Sequence, residues 1–187
     1  MNSPYTLAFD SSAEAGTSRF GGKCAALTAM TRAGAPVPPG FVVTMDAFEA
    51  LLDRGGLRRD VDAALAGLGA DPGAVAARGA ENRRMVMDQP VPSPVASAVT
   101  AAYEELCRAV GCPDAPVAVR SSADVEDLTE ASCAGQYDTC LWIRGADSVL
   151  GDMTAPQRTE PGREPAPFAM PVRCSIAGAR GASARCC

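Results

Sequence analysis

A change of composition near residue 151 predicts that the hydrophobic core of this 187-residue chain lies within its first 150 residues. Residues 151–187 contain no leucine, yet they hold five of the fifteen prolines and three of the eight cysteines. The net charge also changes sign, from −7 over residues 1–150 (12 basic, 19 acidic) to +2 over residues 151–187 (5 basic, 3 acidic). Such a segment cannot bury enough apolar area to offset the entropy of ordering it. We therefore predict one domain over 1–150 and a disordered or aberrant tail over 151–187.

The charge and hydropathy of the whole chain exclude several classes of partner. A net charge of −5 argues against nucleic acid or an acidic membrane surface as the main partner. No stretch reaches the roughly 18 consecutive apolar residues of a membrane span. The N-terminus lacks the basic and apolar regions of a secretory signal, so we expect a soluble, cytoplasmic protein.

Two residue types limit the chemistry that the chain can perform. Histidine is absent, which excludes a histidine acid, base or phosphocarrier within this sequence. Lysine occurs once, as Lys23, against sixteen arginines. The eight cysteines form no CxxC pair, so we predict no metal site and expect buried thiols in a reducing compartment.

The hydrophobic periodicity predicts an α+β domain with its helices early and its strands late. A short helix follows Gly21 and Gly22, and residues 41–43 form a buried strand. Helical patterns continue to residue 110, the last one opening at Ser93 and closing at Gly111. Residues 116–122 then predict a buried strand, and residues 136–143 alternate, with one side formed by Tyr137, Thr139, Leu141 and Ile143.

Two short motifs combine positive charge with small residues. In FGGKCA, the glycines and the start of a helix would let backbone amides and Lys23 approach an anion, although an ordinary glycine turn explains the same spacing. In VAVRSS, Arg120 and Ser121 follow a buried strand, where arginine suits bidentate recognition of phosphate or carboxylate. A salt bridge from Arg120 to a downstream acid, such as Asp124, explains that position equally well.

A third motif, EASCAGQ, contains Ser132, Gly135 and Gln136 in a small-residue loop. Its backbone amides could fold over phosphates, and a simple turn before the next strand is the alternative. The acids between the second and third motifs could suggest magnesium, but a solvated acidic loop explains them without a metal.

The three motifs in this order resemble the N-terminal ATP-binding (PEP/pyruvate-binding) domain of the phosphoenolpyruvate synthase and pyruvate phosphate dikinase family, which rifampicin phosphotransferase shares. GGK before a helix, AGAPVPPGFVVT, and VAVRSSADVEDLTEASCAGQYDT carry the resemblance over about residues 18–150. It implies a partial ATP-grasp-type fold. It also implies that ATP phosphates contact Lys23, Arg120 and Ser121, and that the loop of Ser132, Gly135 and Gln136 closes over them.

The resemblance further implies a kinase or phosphotransferase of the pyruvate, water dikinase type. In that family ATP phosphorylates a histidine on a separate domain, which passes the group to pyruvate or another acceptor. Magnesium is expected for the family, but the second ATP-grasp half that supplies its ligands is not recognisable here. The chain departs from the family at Cys24, where glycine is usual, and at Cys133, where phenylalanine is usual.

These departures lead to two hypotheses about the chain. In the first, it is a truncated or frame-shifted front half that binds ATP and is inactive alone. In the second, it is a non-catalytic nucleotide-binding module that complements a partner chain carrying the histidine domain. The sequence leaves the phosphoryl acceptor open.

Overall fold

The computed structural model describes residues 3–11, 22–67, 69, 71–121, 139–154 and 174–178. Within them, strands β1 (Thr6–Ala8) and β2 (Gly40–Val43) flank helix α1 (Gly22–Arg32). Four helices follow, α2 (Met45–Leu52), α3 (Leu57–Leu65), α4 (Pro72–Met87) and α5 (Ser93–Val110). The remaining elements are β3 (Val117–Ser121), β4 (Thr139–Ile143), α6 (Ala146–Thr154) and β5 (Cys174–Gly178).

The five strands form one sheet in the order β1-β2-β5-β3-β4, and every neighbouring pair is antiparallel. β5 therefore lies at the centre of the sheet although it is the last strand along the chain. Phe41 pairs with Ile176, and Ile176 pairs with Val119 on its other side. The late strand joins two antiparallel strand pairs, β1–β2 and β3–β4, into a single sheet.

One face of the sheet packs against α5 and α6 and forms the main core. Phe41 and Val43 of β2 and Val117 and Val119 of β3 are all buried in this core. The helices contribute buried residues at spacings of three and four, the spacing of one helix face: Val95, Val99, Tyr103 and Leu106 from α5, and Val149 and Met153 from α6.

The opposite face is covered by α1 over its β1–β2 half. Leu7, Phe9 and Val42 pack with Cys24 of α1, which is completely buried. Thr28 donates a hydrogen bond from its hydroxyl to the Cys24 carbonyl at 2.9 Å. Strand alternation explains the two faces, because Val42 points away from the core that holds Phe41 and Val43.

Helices α2, α3 and α4 enclose a second, smaller apolar cluster. Phe48 and Leu52 of α2 pack in it with Val61 of α3 and Val86 of α4. Arg58 of α3 bridges Glu49 and Asp53, and these hydrogen bonds raise the pKa of its guanidinium. Among the helices that the structure describes, none has both the length and the apolar character to cross a membrane.

The α+β class predicted from the sequence is confirmed, but the expected order of elements is not. Two elements were not predicted from the sequence, namely α6 and β1, a three-residue strand near the N-terminus. Strands therefore occur early as well as late. β1 was missed because three residues carry too little periodicity, and its stability comes from pairing with β2 rather than from its own sequence.

The tail predicted to be disordered contributes structure at two places. α6 continues to Thr154, so the predicted boundary after residue 150 falls inside a helix, and β5 occupies residues 174–178. The prediction failed there because β5 gains backbone hydrogen bonds from both neighbours, which a count of apolar residues does not include. Residues 155–173 and 179–187 lie outside the described residues, and the division into a domain and an aberrant tail stays a prediction.

The alternation predicted for β4 is also wrong. Val117 pairs with Ile143, and Val119 pairs with Cys140. One residue of β3 between these pairs therefore lies opposite two residues of β4, and the register shifts there. This is a β-bulge, which reverses the alternation beyond it. Ile143 consequently packs on the main core with Cys140, whereas Leu141, predicted to share a side with Ile143, is 59% exposed.

The cysteines follow the expectation of buried thiols only in part. Cys24 and Cys107 are buried and form no disulfide, and the same holds for Cys140, which is partly buried. Cys112, also buried, is disulfide-bonded, which the expectation of reduced thiols did not include.

Candidate functional site

Arg120 belongs to a row of residues that crosses the sheet on the face that α1 covers. Arg120 pairs with Ser175 of β5, and Ser175 pairs in turn with Val42 of β2. Leu7 of β1 continues the row on one side and Thr139 of β4 ends it on the other. Directly paired residues lie on the same face of a sheet. Arg120 and α1 therefore share one face, opposite the main core.

The start of α1 is fixed to this face by Cys24. Its buried side chain contacts the β1–β2 half of the sheet, where Val42 and Leu7 lie in the row of Arg120. Lys23 immediately precedes Cys24 in the first turn of the helix. The helix thus presents its N-terminal end, with the positive end of the helix dipole, at this part of the sheet.

The separation between the helix start and Arg120 suits a chain of phosphates. Only β5 lies between Val42, which contacts the helix, and Arg120. Two inter-strand spacings amount to about 10 Å. An anion with several phosphate groups can therefore contact both positive features at once. The structure places α1, which begins within the first motif, and Arg120 of the second motif on the same face of the sheet.

The β3–β4 half of this face carries exposed side chains in the part of the chain that the structure describes. We define the open face as Ala118 and Arg120 of β3 together with Leu141 and Trp142 of β4. Arg120 is exposed and Ala118 is half-buried. Leu141 is 59% and Trp142 66% exposed, the largest exposures of large apolar side chains in the described residues.

Leu141 and Trp142 were not predicted as site residues, because strict alternation of side chains was expected along β4. The bulge sets both residues opposite the single residue Ala118, while their neighbours Cys140 and Ile143 pack on the main core. Trp142 also has a φ of +62°, in the left-handed region. The sequence did contain a signal for the bulge, namely two adjacent large apolar residues in an otherwise alternating strand. Neighbouring residues of a regular strand cannot both face one core.

The remaining predicted site residues are only partly located. Ser121 ends β3 and pairs with Cys174 of β5. Ser132, Gly135 and Gln136 lie outside the described residues, as do the acids of the intervening loop. In the described ranges, no group of three or more acidic, cysteine or histidine residues is arranged to hold a metal ion.

A cleft of about 350 Å³ lies elsewhere, between the end of α3 and the start of α4. It is lined by small residues such as Ala66, Gly67 and Ala74, and by the ion pair of Arg78 with Glu81. This cleft belongs to the α2–α4 cluster and is separate from the face that holds Arg120. We therefore take the open face and the start of α1 as the candidate site.

The chain belongs to the family described as the AMP/ATP-binding domain of pyruvate phosphate dikinase, which it matches over residues 17–178. This span includes every motif discussed above and also β5. The match agrees with the resemblance inferred from the sequence, and it extends further toward the C-terminus than the residues that carried that resemblance.

Several curated relatives are phosphoenolpyruvate synthases. The probable phosphoenolpyruvate synthase of Methanocaldococcus jannaschii is 43% identical over 131 residues, covering 70% of this chain and 11% of the relative. The enzyme of Neisseria meningitidis serogroup B is 40% identical over 154 residues, and that of Escherichia coli K12 is 35% identical over 154 residues. Each of these two alignments covers 80% of this chain and 19% of the relative. The chain thus spans less than a fifth of the length of these relatives.

Proposed function

We propose that this chain binds ATP on the α1 face of its sheet, as the front half of a dikinase-type ATP-binding domain of the ATP-grasp kind. The observation that carries the proposal is the shared row that joins Arg120 to the residues beneath the start of α1. The family match to an AMP/ATP-binding domain supports the choice of ligand.

The chemistry of the two features fits a polyphosphate. The first turn of α1 provides backbone amides and a favourable dipole for one phosphate, and Lys23 adds a mobile positive charge. Arg120 provides a planar guanidinium that can hold a second phosphate through two hydrogen bonds. Ser121 and the segment with Ser132, Gly135 and Gln136 complete the proposed phosphate contacts. Phosphoryl transfer depends mainly on such positioning and charge neutralisation.

The parent reaction that we propose is the ATP-driven phosphorylation of a carrier histidine, followed by transfer to pyruvate or another acceptor. This chain contains no histidine, so the carrier has to lie on a different polypeptide segment. We accordingly propose that the chain alone binds ATP without turning it over. In the second candidate context, the chain complements a partner chain that carries the histidine domain.

Isothermal titration calorimetry of the purified chain with ATP tests the proposal. Replacing Arg120 by alanine should weaken ATP binding by about 10- to 100-fold, the value of a hydrogen bond to a charged group. The matched control is Arg59→Ala, because Arg59 lies on α3 and its side chain is 82% exposed. Equal losses in both variants, no heat at millimolar ATP, or ATP hydrolysis at an enzymatic rate by the chain alone would each contradict the proposal.

A further inference from the structure

Leu141 and Trp142 form an apolar surface that the phosphate contacts above do not use. Both side chains are more than half exposed on an edge strand of the described sheet. Water contact with two large apolar side chains is unfavourable, and a ligand that covers them removes this cost. A surface of this kind beside a binding site is a candidate for contact with a ligand.

The backbone of the bulge adds a second observation. Trp142 holds a φ of +62°, a conformation that costs a bulky residue energy, and it lies beside Leu141 in the bulge opposite Ala118. Without the bulge, the two residues would point to opposite sides of β4. The bulge therefore builds a continuous apolar platform from neighbours in sequence.

The position of the platform relative to Arg120 indicates what it contacts. Trp142 lies three residues beyond Thr139, the residue paired with Arg120. Three strand residues span about 10 Å. The start of α1 lies on the opposite side of Arg120, beyond β5. The face thus has an order of helix start, arginine and aromatic platform, which matches the order of phosphates and base along a nucleotide.

We propose that Leu141 and Trp142 are the platform on which the purine base of the bound nucleotide stacks. This proposal rests on the proposed function, because it assigns the base of the same ATP whose phosphates Arg120 holds. The indole ring offers a flat π surface that any purine can cover, and Leu141 extends that surface.

A second copy of this chain and a partner protein are the other conceivable occupants. Edge-to-edge pairing with a second copy needs a regular edge strand, and the bulge at Leu141 and Trp142 interrupts β4. A nucleotide does not need a regular edge strand, and its phosphates can contact Arg120 on the same face.

Trp142 is the only tryptophan in the chain, so its fluorescence reports on this platform alone. We expect ATP to quench the emission of the full chain and to protect Trp142 from acrylamide. Inorganic tripolyphosphate, which has no base, should bind without either effect. Calorimetry on the same samples measures the affinities. A Trp142 signal that changes with protein concentration in the absence of ATP would identify a second copy as the occupant and overturn the proposal.

Variants separate the base contact from the phosphate contact. Trp142→Ala should weaken ATP by about tenfold and leave tripolyphosphate affinity unchanged, whereas Trp142→Phe should keep most of the ATP affinity. Met30→Ala is the matched control, because Met30 is 50% exposed on α1 away from the open face, and ATP should bind this variant with wild-type affinity and quenching. Circular dichroism confirms that each variant is folded.

The outcomes distinguish this proposal from the proposed function. In one outcome ATP binds and Arg120→Ala weakens its binding, but ATP neither quenches nor protects Trp142, and Trp142→Ala keeps the ratio of ATP to tripolyphosphate affinity. The proposed function then stands, and the assignment of the base to Leu141 and Trp142 is wrong. If neither ligand binds, both fail. If tripolyphosphate binds as tightly as ATP, the base contributes nothing and the platform is wrong.

Discussion

Trp142 combines three properties that rarely occur together in one residue, namely a bulky side chain, high exposure and a left-handed backbone conformation. For L-residues with a β-carbon the left-handed region costs roughly 1–2 kcal/mol, and asparagine tolerates it best among non-glycine residues. Such strain persists where the surrounding structure imposes it, often at a binding site. At this position, stability and binding therefore make opposite demands.

This conflict predicts the effect of replacing Trp142 by asparagine. We expect Trp142→Asn to raise the free energy of unfolding by about 1 kcal/mol and the thermal midpoint by about 2–4 °C, because the strain is relieved. The same variant should bind ATP more weakly. Differential scanning calorimetry measures the midpoint.

Leu141→Asn is the matched control for this prediction. Leu141 is similarly exposed on the same strand, but its φ is not positive, so this variant should not be stabilised. A midpoint that stays unchanged or falls in Trp142→Asn would mean that the left-handed conformation carries no strain.

At the scale of elements, the hydroxyl of Tyr103 ties α5 to one end of the β3–β4 pair, where β3 begins and β4 ends. It accepts a hydrogen bond from the Gly145 backbone N–H at 3.0 Å, just before α6 begins. It also lies 2.9 Å from the Ala115 carbonyl and 3.0 Å from Asp114 Oδ1, to which it can donate. One buried side chain thus fixes the entry to β3 and the turn from β4 to α6.

Replacing Tyr103 by phenylalanine should cost about 1–3 kcal/mol, because the buried Gly145 and Ala115 groups lose their partner. Tyr5→Phe is the control, since Tyr5 packs on the same core and its hydroxyl has no hydrogen-bond partner among the described residues. Chemical denaturation of both variants measures the difference. Equal losses would show that the hydroxyl network does not matter.

The same residue predicts a pH dependence. Burial raises the pKa of Tyr103 above its ordinary value of 10.0, and the hydrogen bond to Asp114 raises it further against the opposing effect of Gly145. A folded-state pKa above the unfolded value means that the contribution to stability is complete below about pH 10 and is lost as the pH rises through the folded-state pKa. Denaturation between pH 9 and 11 should show a steeper loss in the wild type than in Tyr103→Phe.

The sequence predicted the elements whose stability is local and missed those stabilised by distant partners. α5 was predicted with its buried face and its end at Gly111, which adopts the left-handed conformation of a helix cap with a φ of +68°. The buried strand of residues 41–43 was also predicted. β1 and β5 were missed because pairing partners far along the chain hold them, and the bulge was missed because it depends on the register between β3 and β4.

The candidate site was predictable to a similar extent. Arg120 and Lys23 were identified by residue type and local pattern, and the structure places the arginine on the face that α1 covers. Their common face could not be derived from the sequence, because it depends on β5 lying between β2 and β3. The platform could not be derived either, since it exists only through the bulge.

At the scale of the whole molecule, β5 decides whether the sheet is continuous. Ending the chain at Gly178 keeps this strand, and ending it at Arg173 removes it. We expect the chain of residues 1–178 to retain one cooperative thermal transition, and the chain of residues 1–173 to lose it and to aggregate. Without β5, β2 and β3 each expose a row of unpaired backbone groups.

Scanning calorimetry and light scattering on the two truncated chains check this expectation. Equal midpoints and equal solubility would mean that residues 174–178 add nothing to the fold, as the sequence analysis predicted for the whole tail. A thermal midpoint that falls in the 1–173 chain but not in the 1–178 chain would show that β5 holds the sheet together.

The central position of β5 also sets the order in which the chain can fold. The β1–β2 and β3–β4 pairs can form early because their partners are comparatively close in sequence, whereas β5 has to pair with residues more than 130 positions earlier in β2. Contacts of such long range slow folding, since loop closure precedes any gain from pairing. A sheet that lacks its central strand exposes the edges of β2 and β3, so we expect aggregation to compete with folding until β5 is inserted.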